Sequence, residues 1–191
     1  MNKRKISRLM RDRVNGLLNS GVYFFRGDFD QILQGVVLEY VPRGLYVWDF
    51  RLPLFDHVGP NLSFSNRLSG RSFIGAGEMS DEEIVDYVIT APEVETTFGG
   101  GSPMSIEQFN QILKLEYSDF PRAQLVRATG YVLQGRDGQA MELLTSPPQK
   151  LHPSNFAYLE RLKASIGEGH QMALELVEEI RKSNLQAFNI A

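Results

Sequence analysis

The segment from residue 44 to residue 56, GLYVWDFRLPLFD, alternates so regularly that it demands an extended strand. Successive side chains of a strand point to opposite sides, so Tyr46, Trp48, Phe50, Leu52 and Leu54 share one face and Val47, Asp49 and Arg51 the other. The aromatic set is the more apolar, which predicts that it faces the core, with Tyr46, Trp48, Phe50 and Phe64 central and Val36 and Leu38 beside them on an adjoining strand. Pro53 has no amide hydrogen to give to a ladder, so the strand ends there, bulges, or lies at a sheet edge.

Neighbouring segments supply partners for this strand. Residues 22–25 are aromatic and β-branched and close on the turn Arg26-Gly27-Asp28; residues 36–41 form a second run. Pro42-Arg43-Gly44 suits a tight turn that folds residue 44 onward back as a hairpin. Residues 61–68 alternate again, with Leu62, Phe64 and Leu68 on one side and Ser63, Ser65 and Arg67 on the other. The sum is an antiparallel β-meander of three to four strands. Two helices flank it. Ile6, Leu9, Met10, Val14 and Leu17 recur at helical spacing over residues 5–18, and Ser80-Asp81-Glu82-Glu83 is a capping box opening a helix that buries Ile84, Val85, Val88 and Ile89.

Gly99-Gly100-Gly101-Ser102-Pro103 breaks regular structure more strongly than any other stretch, because glycine is the least restrained residue and proline resists continuing a helix or strand. The boundary divides an α+β sheet domain, 1–98, from a helical subdomain, 103–191, across the linker 99–102. Downstream the pattern is helical throughout. Ser105 with Gln108 forms a second capping box before Phe109, Ile112 and Leu113; Asp119 and Pro121 open a helix carrying Leu125, Val132 and Leu133. A short helix with Met141 and Leu144 stops before Pro147-Pro148. Phe156, Leu159, Leu162 and Ile166 mark the next, and Ala173, Leu176, Val177 and Ile180 the last. Ala128, Tyr131, Gly135, Ala140 and Leu144 resemble part of a tetratricopeptide repeat, but a single copy is present, and the stretch reads as a helical hairpin. The fold class is α+β, with an all-helical C-terminal half.

Several chemistries are excluded at once. The 191 residues contain no cysteine, which removes disulfides, thiolate zinc sites and cysteine nucleophiles. The basic opening is too interrupted by arginine for a secretory signal, and no run is long enough for a transmembrane segment, so the expected compartment is the cytoplasm. The triple glycine lacks the Gly-Lys-Ser/Thr of a phosphate-binding loop, no GxSxG elbow occurs, and no cofactor is implied. His57, His152 and His170 are too dispersed for a paired-histidine metal site, and Asp28, Asp30 and Glu39 lack the lysine that would complete a nuclease triad, so no metal is expected.

Three functions remain. The first is a non-enzymatic, bacterial-type interaction module, an immunity protein or adaptor. It would meet a protein partner through a polar sheet face bearing Asp49, Arg51, Ser65 and Arg67. The second is a hydrolytic enzyme using Asp56 and His57 with Asp28, the carboxylate assisting the imidazole as general base. The third is a nucleic-acid-associated or membrane-surface regulator. Lys3, Arg4, Lys5, Arg8, Arg11 and Arg13 oppose only Asp12 in the first thirteen residues of a chain whose net charge is −3. Arg4, Arg8 and Arg11 fall on one stripe of the first helix, away from its apolar side. That helix is expected to be removable without loss of the fold.

Overall fold

A computed structural model describes residues 1–146 and 151–190. Pro147 and Pro148 therefore lie outside the described residues. The chain divides into two units, one of Met1–Leu52 with Asn61–Pro103 and one of Pro53–Pro60 with Met104–Ala191. Residues 53–60, expected with the sheet, belong to the helical unit.

The first unit begins with helix α1 (Lys3–Arg13), whose N-cap Asn2 accepts a hydrogen bond from the Lys5 amide at 3.1 Å. Six strands follow: β1 (Leu17–Ser20), β2 (Tyr23–Arg26), β3 (Ile32–Val41), β4 (Gly44–Pro53), β5 (Ser65–Arg67) and β6 (Phe73–Gly75). They form one sheet in the order β1-β2-β3-β4-β5, with β6 also paired to β4. The antiparallel register sets Phe24 opposite Val36, Trp48 opposite Arg67 and Tyr46 opposite Phe73. Two helices complete the unit, α2 (Asp81–Thr90) and α3 (Pro92–Phe98). The Ser80–Glu83 capping box closes reciprocally at the start of α2.

The first helix ends at Arg13, short of the expected Leu18. The residues beyond it form β1 and a two-residue turn at Gly21-Val22, where Gly21 has the positive φ, 58°, that a hairpin turn of this type needs at its first central position. Leu17 keeps its burial by moving from a helix stripe to a strand face. The strand expected over 61–68 is confined to β5, yet Phe64 and Leu68 on either side are buried.

One sheet face and the three helices enclose a core that includes Ile6, Met10, Phe24, Val36, Leu38, Leu45, Val47, Leu68, Ile74, Ile84, Val85 and Val88. The alternation along β4 holds, but its sides are reversed at the start of the strand. Leu45 and Val47 are fully buried beneath the helices, whereas Tyr46 and Trp48 lie on the opposite face and are only partly covered. Phe50 and Phe64, by contrast, are 1% and 2% exposed. The reason is the cover available: α1 and α2 are amphipathic and pack on the face of β4 that carries its aliphatic residues. Ile6 and Met10 have no exposed surface, and each contributes roughly 1.5–3 kcal/mol of transfer free energy. Lys5 pairs with Glu82 at 2.7 Å, Arg13 pairs with Asp86, and the Asn2 amide donates to Asp81 at 2.9 Å. α1 is thus built into the fold, contrary to the expectation of a removable arm.

The second unit contains α4 (Ile106–Glu116), α5 (Pro121–Leu133), α6 (Asp137–Thr145), α7 (Pro153–Glu168) and α8 (His170–Ala187). The Ser105–Gln108 capping box starts α4. α5 packs against the other four helices. Eight of its thirteen residues are buried, among them Ala123, Ala128 and Gly130, so the small residues of RATG let neighbouring helices close in on every side. Phe156, expected in the stripe of α7, is 50% exposed, and Tyr158 takes the buried position instead.

Candidate functional site

Two clusters of polar and aromatic side chains stand out, one in each unit. In the helical unit, residues 54–60, which follow the end of β4, form a turn-rich loop held by three helices. Asn184 of α8 donates to the carbonyls of Leu54 at 2.7 Å and Asp56 at 2.9 Å. Arg122 of α5 pairs with Asp56 at 3.1 Å. The ring of His57 stacks on Tyr158 of α7, centroids 4.2 Å apart and planes 12° from parallel, and its Nε2 lies 3.0 Å from Asn155 Oδ1. Tyr158 in turn meets the Thr129 hydroxyl of α5 at 3.2 Å.

This is the arrangement the Asp56–His57 hydrolase requires least. Nδ1 of His57 stands 3.6 Å from Asp56 Oδ1, beyond hydrogen-bond range, and that oxygen accepts from the Val58 amide. The carboxylate side chain is 0% exposed and the imidazole 12%; Nε2 is engaged by Asn155, and Nδ1 is buried facing Asp56 without a hydrogen bond of its own. A general base needs one of them turned to a substrate. Asp28, the third residue of that set, belongs to the other unit, where Arg26 grips it; this bond holds its carboxyl below the usual range. The cluster serves to anchor the loop.

Burial lowers the basicity of His57 below its ordinary value of 6.5, against the opposing pull of Asp56 and the hydrogen bond His57 gives to the Asn155 side-chain oxygen, and Arg122 lowers it further. The unfolded chain therefore takes up a proton at a higher pH than the folded one does. Stability is fully present above pH 6.5 and declines as the pH falls through the folded value. Urea midpoints measured on either side of that window should drop on acidification, and His57→Gln should flatten the drop.

In the sheet unit, the four residues expected to make one polar platform divide between two faces. Directly opposed residues of paired strands share a face, and the register sets Trp48 opposite Arg67, Asp49 opposite Asn66 and Phe50 opposite Ser65. Ser65 and Arg67 therefore accompany the aromatics, away from Asp49 and Arg51. Asp49 is 4% exposed and its carboxylate lies 3.4 Å from the Arg51 guanidinium. Ser65 turns its hydroxyl back onto the Leu62 carbonyl. Neither Asp49 nor Ser65 is offered to a partner by this geometry.

What the open part of that face presents is a preorganised aromatic–arginine stack, which sequence reasoning missed because it placed Tyr46 and Trp48 in the core. The Arg67 guanidinium lies 4.3 Å from the Tyr46 ring centroid and 4.8 Å from that of Trp48. Tyr46 and Phe73 are in contact, centroids 4.8 Å apart. The Trp48 indole donates to Glu39 at 2.9 Å, fixing its ring. The signal in the sequence was the outward parity of Arg67 combined with the register, which periodicity alone does not supply.

On α1, Lys5 and Arg13 are committed to α2, while Arg4, Arg8 and Arg11 are exposed. No helix of the described residues is long and apolar enough to cross a membrane, and no group of three or more metal-ligating side chains occurs among them. No protein-family model, curated protein or solved structure matches the chain.

Proposed function

We propose that this chain is a protein-interaction module, of the immunity-protein or adaptor kind, that meets its partner through the aromatic–arginine face of the sheet unit. The supporting observation is the stack of Arg67 over Tyr46 and Trp48 beside Phe73. Tryptophan, tyrosine and arginine are the side chains that most often carry the energy of protein interfaces, because each combines a large apolar area with a polar handle. Their rings are held before any partner arrives, which reduces the ordering cost of association. In the helical unit, by contrast, the Asp56–His57 cluster has nearly all its surface covered and its polar atoms directed inward.

The test is a comparison of captured proteins from extracts of the source cells, using the full chain and its Arg67→Glu variant as bait. Arg67 is exposed, so its reversal leaves the core untouched. A partner bound through this face should be retained roughly thirtyfold less well by the variant, the equivalent of an arginine worth about 2 kcal/mol. Arg8→Glu, on α1, should leave retention unchanged. A chain that retains no protein, or retains the same proteins with and without Arg67, is not an interaction module of this design.

A further inference from the structure

The aromatic–arginine face continues into a groove of about 400 Å³ lined by Val41, Pro42, Arg43, Tyr46 and Phe73. Its floor is apolar. Its cations are not neutralised: Arg43 and Arg67 are exposed, and among the described residues neither joins an ion pair. Lys3 stands on the far side of the Val41-Pro42 ridge, its ammonium 4.7 Å from the Tyr40 ring centroid and likewise without a carboxylate partner among the described residues. Glu39, a carboxylate on this face, accepts from the Trp48 indole and keeps its negative charge, against the two positive charges of Arg43 and Arg67. Elsewhere in the unit, Lys5 is matched by Glu82 and Arg71 by Glu78, whereas Arg4, Arg8 and Arg11 on α1 are exposed and join no ion pair among the described residues. An apolar groove with Arg43 in its lining and Arg67 on the adjoining stack, neither of them paired, is locally more basic than a chain of net charge −3 as a whole.

We propose that this groove takes an acidic segment of a protein partner, with aspartate or glutamate side chains meeting Arg43 and Arg67 and one aromatic or large aliphatic residue packing on Pro42, Tyr46 and Phe73. The inference rests on the interaction module proposed above and names the chemistry of its partner. Paired arginine–carboxylate contacts supply orientation, while burial of the anchor supplies most of the affinity. A peptide fits better than a nucleic acid. Tyr46 and Phe73 already touch, which leaves no slot between them for a base, and Arg67 covers the faces of Tyr46 and Trp48 on which a base would stack. The net negative charge of the chain also opposes a polyanion.

The experiment is a titration of the ¹⁵N-labelled full chain with four defined probes. They are a short glutamate-rich peptide with a central phenylalanine, the same peptide with lysine for glutamate, the acidic peptide with glycine for phenylalanine, and an oligothymidylate. The single tryptophan gives a separate indole signal inside the face. The acidic phenylalanine peptide should shift that signal and the amides of Arg43, Tyr46 and Phe73. It should bind about tenfold more tightly than the lysine peptide and weaken as salt rises. The double variant Arg43→Glu/Arg67→Glu, its fold checked by the same spectrum, should lose about tenfold in affinity for the acidic probe. Loss of the phenylalanine should weaken binding without moving its site. The inference is overturned by equal or tighter binding of the lysine peptide, by charge reversal without effect, by absence of shifts at the groove, or by shifts there with the oligothymidylate instead of the peptide. If the captured partner depends on Arg67 but no acidic peptide enters the groove, the partner chemistry is wrong and the interaction module stands. If the peptide binds while no captured protein depends on Arg67, the converse holds.

Discussion

Arg122→Ala should destabilise the helical unit by about 3–5 kcal/mol, because it leaves a buried carboxylate without its guanidinium. Asp56 has a fully covered side chain and Arg122 one that is 8% exposed, so neither charge can turn to water in place. The pair also fastens residues 53–60 to α5, alongside the two hydrogen bonds from Asn184. Urea denaturation followed by far-ultraviolet circular dichroism, which the helices dominate, reads the loss. The double variant Asp56→Asn/Arg122→Met removes both charges and should recover a large part of it, since a buried ion pair adds little net stability over neutral groups of similar shape. A second signature separates this account from lost packing. Arg122 opposes protonation of His57, so its removal should make the imidazole easier to charge beside Asp56. The single variant should therefore lose less stability on acidification than the parent does, or gain some. An Arg122→Ala chain as stable as the parent at neutral pH would mean that the pair is not the anchor.

Gly35→Ala should cost the sheet unit about 3 kcal/mol or more, through backbone overlap rather than lost contacts. Gly35 lies in β3 opposite Phe25, where β2 passes so closely that an added Cβ would overlap the Phe24 carbonyl oxygen and sit 2.8 Å from Phe25 Cα. Backbone on both sides of the contact cannot swing away as a side chain can. Gly75→Ala is the internal control. There the added methyl meets the flexible end of Glu78, so the expected cost is under about 1 kcal/mol. Trp48, in the sheet unit, makes intrinsic fluorescence the readout. Equal tolerance of alanine at both positions would show that β2 and β3 are not packed this tightly.

Much of the architecture was legible before any coordinates. Ser80 with Glu83 and Ser105 with Gln108 announced two helix starts that close as capping boxes, since that motif is written within four residues and satisfies its own backbone amides. The antiparallel meander and the helical second half likewise follow from local spacing. β1 was hidden because Val14 and Leu17 continue the periodicity of α1, and four residues are too few to announce a change of period. β6, with three residues, had no pattern to show.

The candidate sites were less legible. Asp56 and His57 drew attention as a catalytic pair, but the contacts that bury them come from Arg122, Asn155 and Tyr158, each far along the chain. The face carrying Arg67 was mistaken in composition because a strand's alternation says which residues travel together and is silent on which set is covered.

Residue types and their spacing settled what is written locally in this protein: where helices begin, which segments extend, which side chains share a face of β4. The direction in which each face looks was decided only when α1 and α2 closed over Leu45 and Val47 and left Tyr46 and Trp48 beside Arg67. Backbone geometry repeats every few residues and is encoded by neighbours in sequence. Burial depends on which distant element arrives with a matching apolar surface, and no short window of sequence contains that information.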